Sequence, residues 1–147
     1  MSVGRICIRQ VDTAQPSESV QAAGRRMLDR KVGTLVVVDE DNRPVGMITD
    51  RDLAVRVVAR GLDAYMTAVS QIMTPSPRTV QESTPIESAL AIMRSAACRR
   101  LPVVGESGTL LGLVSLDDVL DLLSEEFQQI RDLLAKESPE ELSALPV

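Results

Sequence analysis

Sliding the sequence by 66 positions lays residues 15–53 on residues 81–119 without a gap. Gln15 falls on Gln81, Ala23 on Ala89, Met27 on Met93, Leu35 on Leu101, Gly46 on Gly112 and Asp52 on Asp118. Class is kept at Val20/Ile86, Ile48/Val114 and Thr49/Ser115. Such a repeat constrains the fold strongly, because each copy must be one supersecondary unit that buries its apolar face with help from the other. Each copy reads helix, strand, strand, helix. Val20, Ala23, Met27 and Leu28 recur at helical spacing, so residues 18–30 are expected to form an amphipathic helix. TLVVV (34–38) and PVGMI (44–48) have the β-branched, turn-bounded look of strands, and DRDLAVRVVAR (50–60) reads as a helix ended by Gly61. The second copy repeats this as STPIESALAIMRSAA, RLPVV, LLGLV and LDDVLDLL, with Thr84 to Glu87 offering a capping pattern around Pro85. One copy has too few strands to bury both faces of its sheet. The expected fold class is therefore α+β: two pseudo-twofold-related repeats sharing one core, each a small sheet with helices packed on one side. The first repeat spans residues 1–66, the second 67–125, and 126–147 form an acidic amphipathic helix or tail. There Phe127, Ile130, Leu133 and Leu134 make a stripe suited to the body or a second subunit.

Composition removes several function classes. The chain has no histidine, which takes away the usual general base, nucleophile activator and metal ligand. No catalytic residues and no metal ligands are assigned. Its net charge of −5 argues against a nucleic-acid partner. Tyr65 and Phe127 are the only aromatics, too few for a stacking platform. No apolar run is long enough to cross a bilayer, and MSVGRICIRQV lacks a secretory core, so the expected location is cytoplasmic with no membrane partner. Cys7 and Cys98 belong to no paired motif and read as reduced thiols, with a redox role open for Cys98 beside Arg99 and Arg100.

GMITDRD (46–52) and GLVSLDD (112–118) share a glycine, an apolar pair, a hydroxyl and a carboxylate three places on. Thr49 with Asp52 and Ser115 with Asp118 fit a helix capping box. The glycine is no part of a capping box. Gly46 and Gly112 interrupt apolar strands, where glycine marks a close approach to the backbone. A strand of this kind feeding a helix start with a hydroxyl and a carboxylate suits a nucleoside, whose ribose hydroxyls donate to the acid while phosphate favours the helix terminus.

The repeat resembles the CBS domain, found in tandem as the Bateman module. The resemblance covers about residues 1–125 and rests on GMITDRDL and GLVSLDDVL after VGTLVVVD and CRRLPVVG, with IMTPSPRTV leading into the second copy. It implies a regulatory module without catalytic activity, an adenosine-containing ligand (AMP, ADP, ATP, S-adenosylmethionine or NAD), no required cofactor and a homodimer that signals to a regulated protein. By the resemblance Asp52 and Asp118 bind ribose, with Thr49 and Ser115 on ribose or phosphate, and Arg51, Arg99 and Arg100 on phosphate. The adenine environment is Thr74, Pro75, Val80 and Leu101 with Gly46 and Gly112. The resemblance puts Thr74 to Val80 in the second repeat's site and the region of Val11 and Thr13 in the first. The competing reading is the same fold with vestigial clefts, acting as an interaction module through its dimer surface.

Overall fold

The computed structural model describes residues 1–137, so the part of the expected tail at 138–147 lies outside the described residues. After a short 3-10 turn (Val3–Arg5) come β1 (Thr13–Ala14), α1 (Val20–Arg30), β2 (Thr34–Val38), β3 (Pro44–Thr49) and α2 (Asp50–Asp52), which runs on as a π-helical turn over Leu53–Val58. The second half holds α3 (Val69–Ile72), β4 (Thr74–Pro75), β5 (Val80–Gln81), α4 (Ile86–Ala96), β6 (Arg100–Val104), β7 (Leu110–Ser115) and α5 (Leu116–Lys136). Ser19 starts α1 by accepting from the Ala22 N–H at 3.1 Å, and Lys31 ends it in the left-handed region. Thr84 does not cap α4. Its hydroxyl accepts the Gln81 N–H at 3.0 Å, which leaves Pro85 at the cap position. The helix expected over 50–60 is half π-helical, a distinction that apolar spacing over so few residues does not resolve; Gly61 does end it, at φ 68°.

The strands form two sheets, β1-β2-β3-β4 and β5-β6-β7. In each, a short first strand runs parallel to its neighbour and the next pair is antiparallel. Alternation along β2 sends Leu35 and Val37 to the helix side, where they meet Val20, Ala23 and Met27. It sends Val36 and Val38 to the opposite face, where they pack with Leu110 of the other sheet. Leu101, Val103 and Val114 repeat the helix-side packing against Ala89 and Met93. Each repeat is thus a small sheet with helices on one side, and the two sheets meet back to back.

The segment leading into each repeat is inserted into the other one. Val69 and Ile72, which precede the second repeat, are buried in the core of the first; Val3, at the start of the first, is buried in the core of the second. Hydrogen bonds match across the offset. The Val69 N–H donates to the Glu18 carbonyl at 2.8 Å and the Val3 N–H to the Thr84 carbonyl at 2.9 Å. The Val20 N–H donates to the Thr67 carbonyl at 2.9 Å and the Ile86 N–H to the Met1 carbonyl at 3.2 Å. Strand β4 pairs with β3 at Met47–Thr74, and Ile8 bridges Leu113 in the same way. Neither half has its full core without the other.

The turn at the first junction is fastened by Glu18, whose carboxylate accepts from Arg26 Nη1 at 2.9 Å and from the Gln15 N–H at 2.7 Å. The Arg26 guanidinium holds the Glu18 carboxyl below the usual range. Because the folded-state value is lowered, the stabilisation is present above the unfolded value of about 4.3 and is lost as pH falls through the lower folded value. Wild type is expected to exceed Glu18→Gln by about 1 kcal/mol at neutral pH, with a gap that closes below about pH 4. Melting curves from pH 7 down to pH 3 read this directly; a gap independent of pH contradicts it.

Candidate functional site

Both hydroxyl-acid turns are complete capping boxes. Asp52 Oδ2 accepts the Thr49 N–H at 2.9 Å while the Asp52 N–H donates to Thr49 Oγ1 at 3.2 Å. Asp118 and Ser115 repeat this at 2.8 and 3.1 Å. The helix starts are tied to the neighbouring strands, Asp50 N–H to the Gly33 carbonyl at 2.9 Å and Leu116 N–H to the Arg99 carbonyl at 2.8 Å. This places each turn beside the first residues of a strand. The Asp52 side chain is 17% exposed, and its other oxygen, Oδ1, lies 3.6 Å from Arg56 Nε. A carboxylate accepts about four hydrogen bonds, so capping leaves lone pairs over.

Two clefts flank the pseudo-twofold. The first has a volume of 560 Å³ and is lined by Thr49 and Arg51 from the first turn, Thr74, Pro75 and Arg78 from the segment around β4, and Cys98, Arg99 and Arg100 at the start of β6. The second, 270 Å³, is lined by Ile8, Gln10, Val11, Asp12, Val32, Gly33 and Leu113. Thr34 and Arg100 border both. The residues TPSPR therefore lie against the first repeat's turn and not the second's, because the leading segments are exchanged. Of the expected residues, Arg51, Arg99 and Arg100 line this first cleft together with Thr74, Pro75 and Thr49.

Several expected site residues lie elsewhere. Val80 and Leu101 are in the core of the second repeat. Gly46 and Gly112 are buried, and the close approach expected there is made by protein: Met73 covers Gly46, and the Ile8 carbonyl and Cys7 cover Gly112. Asp52 stands one residue behind the lining, bonded to Thr49. Ser115 and Asp118 line neither cleft. Arg78, to which the sequence alone assigns no role, also lines the first cleft; its only signal is a cation inside IMTPSPRTV.

Among the described residues Arg51, Arg78 and Arg100 form no ion pair, and Arg99 meets Asp117 only at 3.5 Å with both side chains exposed, a weak contact in water. The first cleft is thus lined by four guanidiniums and no carboxylate. Burial pushes the Cys7 thiol up, which favours the unreactive neutral form. Among the described residues no group of histidine, cysteine and acidic side chains is suited to hold a metal.

The sequence profile of the CBS domain matches residues 3–59 and 69–125. The chain belongs to the CBS-domain family. As a tandem CBS pair it is a regulatory module and not a catalytic one. It is 34% identical over 122 residues to the protein MK0525 of Methanopyrus kandleri, covering 83% of this chain and 62% of that one, so it spans less than two thirds of that relative's length. CBSX2, a CBS-pair protein from Arabidopsis thaliana, has been solved in complex with AMP; that structure aligns with a TM-score of 0.72 at 30% identity, covering 84% of this chain and 96% of CBSX2. The CBS pair of MJ0100, solved with 5′-methylthioadenosine and S-adenosyl-L-methionine, aligns with a TM-score of 0.76 at 25% identity over 86% of this chain and 98% of that one. Among the described residues no helix is long and apolar enough to cross a membrane.

Proposed function

We propose that this CBS pair is a cytoplasmic sensor that binds an adenosine-containing nucleotide in its first cleft and passes the change to a regulated protein. The convergence of Arg51, Arg78, Arg99 and Arg100 with Thr49 and the Thr74–Pro75 backbone carries this reading. Phosphate lies over the guanidiniums, the free lone pairs of Asp52 accept from ribose, and adenine rests against the aliphatic wall formed by Met47 and Pro75. The binding of AMP by CBSX2 and of adenosyl compounds by MJ0100 supports the ligand class. The second turn, Ser115 and Asp118, holds no ligand in this reading, because it lines neither cleft and Asp117 stands where the first turn has Arg51.

Melting against AMP, ADP, ATP, NAD, S-adenosylmethionine and GMP tests this, since a ligand at a hundred times its Kd adds about 2.7 kcal/mol. Asp52→Ala and Asp118→Ala each lose a capping box, costing about 1 kcal/mol without ligand. The readout is therefore the increment that the ligand adds. It is expected to vanish in Asp52→Ala and to persist in Asp118→Ala; no increment from any ligand in the wild type contradicts the reading.

One observation favours an interaction role beside the sensor. Leu120, Leu123, Phe127, Ile130 and Leu134 recur on α5 at alternating spacings of three and four, the seam of a coiled coil, and all are exposed. In a parallel pair this register sets Glu126 opposite Arg131 of a second copy, an attractive match, so the homodimer is assigned to this helix. Phe127→Glu is expected to convert a dimer into a monomer in sedimentation; a wild-type monomer, or a variant that stays dimeric, excludes α5 as the contact.

A further inference from the structure

The geometry points to a nucleoside di- or triphosphate, in preference to a monophosphate or S-adenosylmethionine, as the ligand of the first cleft, with Arg78 selecting for the added phosphates. This rests on the reading of that cleft as an adenosine site and goes beyond it in naming the charge of the ligand. The internal repeat supplies its own control. Each arginine of the first cleft has a mate 66 residues away: Asp117 for Arg51, Asp12 for Arg78, Gly33 for Arg99 and Thr34 for Arg100. At all four positions the mate is acidic or neutral. The second cleft is bordered by one cation, Arg100, and one acid, Asp12, whose Oδ1 accepts from Arg30 Nε at 2.8 Å. The repeats agree in their apolar core and in both capping boxes, and they part at the charges around the clefts.

Four guanidiniums lining one cleft repel one another and together favour an anion there. A monophosphate is matched by a bidentate guanidinium or two. Arg51, next to the hydroxyl and the acid of the turn, supplies one; Arg78, Arg99 and Arg100 come from two other stretches of backbone and exceed what one phosphate needs. Arg78 has no carboxylate partner among the described residues. S-adenosylmethionine brings a sulfonium and an ammonium against a single carboxylate, so it adds positive charge to a positive cleft. The 560 Å³ volume leaves room for the longer chain, about twice that of the 270 Å³ second cleft.

Isothermal titration of the full chain with ATP, ADP, AMP, GTP and S-adenosylmethionine, in buffer with a chelator so that magnesium masks no phosphate, tests this. ATP is expected to bind at least about tenfold more tightly than AMP, with ADP between them and S-adenosylmethionine weakest, and the ATP/AMP ratio is expected to shrink as salt is raised. In Arg78→Ser the ratio is expected to fall below about threefold. Arg78 is exposed, so the fold tolerates the change; Arg51→Ser, judged by the same ratio, is the second variant. Equal affinity for AMP and ATP, or tighter binding of S-adenosylmethionine, overturns the inference while leaving an adenosine site in place. A ratio unchanged in Arg78→Ser overturns the role of Arg78. GTP binding as tightly as ATP supports the polyphosphate preference and removes the adenine one, whereas no binding by any of the five overturns both this inference and the reading beneath it.

Discussion

Gly112→Ala is expected to destabilise the fold by about 3 kcal/mol, and Gly46→Ala by only about 1 kcal/mol. A β-carbon at Gly112 would stand 2.8 Å from the Ile8 carbonyl oxygen and 3.1 Å from Cys7 Sγ. That carbonyl is fixed by the Leu113 N–H at 2.9 Å, and the Ile8 N–H returns to the Leu113 carbonyl at 2.9 Å, so relief would cost a strand bridge. At Gly46 the intruding carbon would meet the Met73 side chain, with Cγ at 2.9 Å and Sδ nearer still. Methionine has three rotatable bonds and can swing aside. The closer contact is therefore the cheaper one. Urea unfolding of both variants measures the difference; equal costs, or the reverse order, would mean that the leading segment does not lie across β7.

Arg51→Glu is expected to weaken nucleotide binding by a hundredfold or more. A charge-assisted hydrogen bond contributes about 1.5–3 kcal/mol, and reversal adds repulsion to that loss, so about 3 kcal/mol or more disappears. Arg51 is exposed in the first turn of a helix, and glutamate there suits the helix dipole, so the melting temperature without ligand should barely move. Titration calorimetry separates the two effects. The control is Asp121→Lys on α5, an exposed residue that lines neither cleft and is expected to change affinity by no more than about threefold. An Arg51→Glu variant that binds as well as wild type would remove phosphate from this cleft.

The regular elements were legible because their patterns are local. TLVVV and RLPVV are β2 and β6 to the residue, since short β-branched runs bounded by glycine or charge admit few other readings. The exchange of leading segments was not legible. VGRIC and VSQIM show that short apolar pieces precede each repeat, and nothing in their spacing tells which of two similar cores receives them. That one choice moved Thr74 and Pro75, expected beside the second turn, to the first and brought Arg78 into the cleft that Arg51 lines. The glycines show the same limit. A strand glycine correctly signals a close approach, but the neighbour at Gly46 and Gly112 comes from residues far away in sequence. Thr84, Pro85 and Glu87 match the hydroxyl-x-x-acid pattern as well as Thr49 does, yet the Thr84 hydroxyl accepts the Gln81 N–H in the turn before α4. In the other two turns the hydroxyl follows directly from a strand, and the cap forms.

One nucleotide per chain is expected, in the cleft where the arginines gather, with the pseudo-symmetric cleft empty. Titration calorimetry with ATP on the full chain counts this directly. A stoichiometry of one per chain, lost in Asp52→Ala and kept in Asp118→Ala, is the predicted result. Two equivalent sites per chain, or a single site that survives Asp52→Ala and disappears in Asp118→Ala, would contradict it.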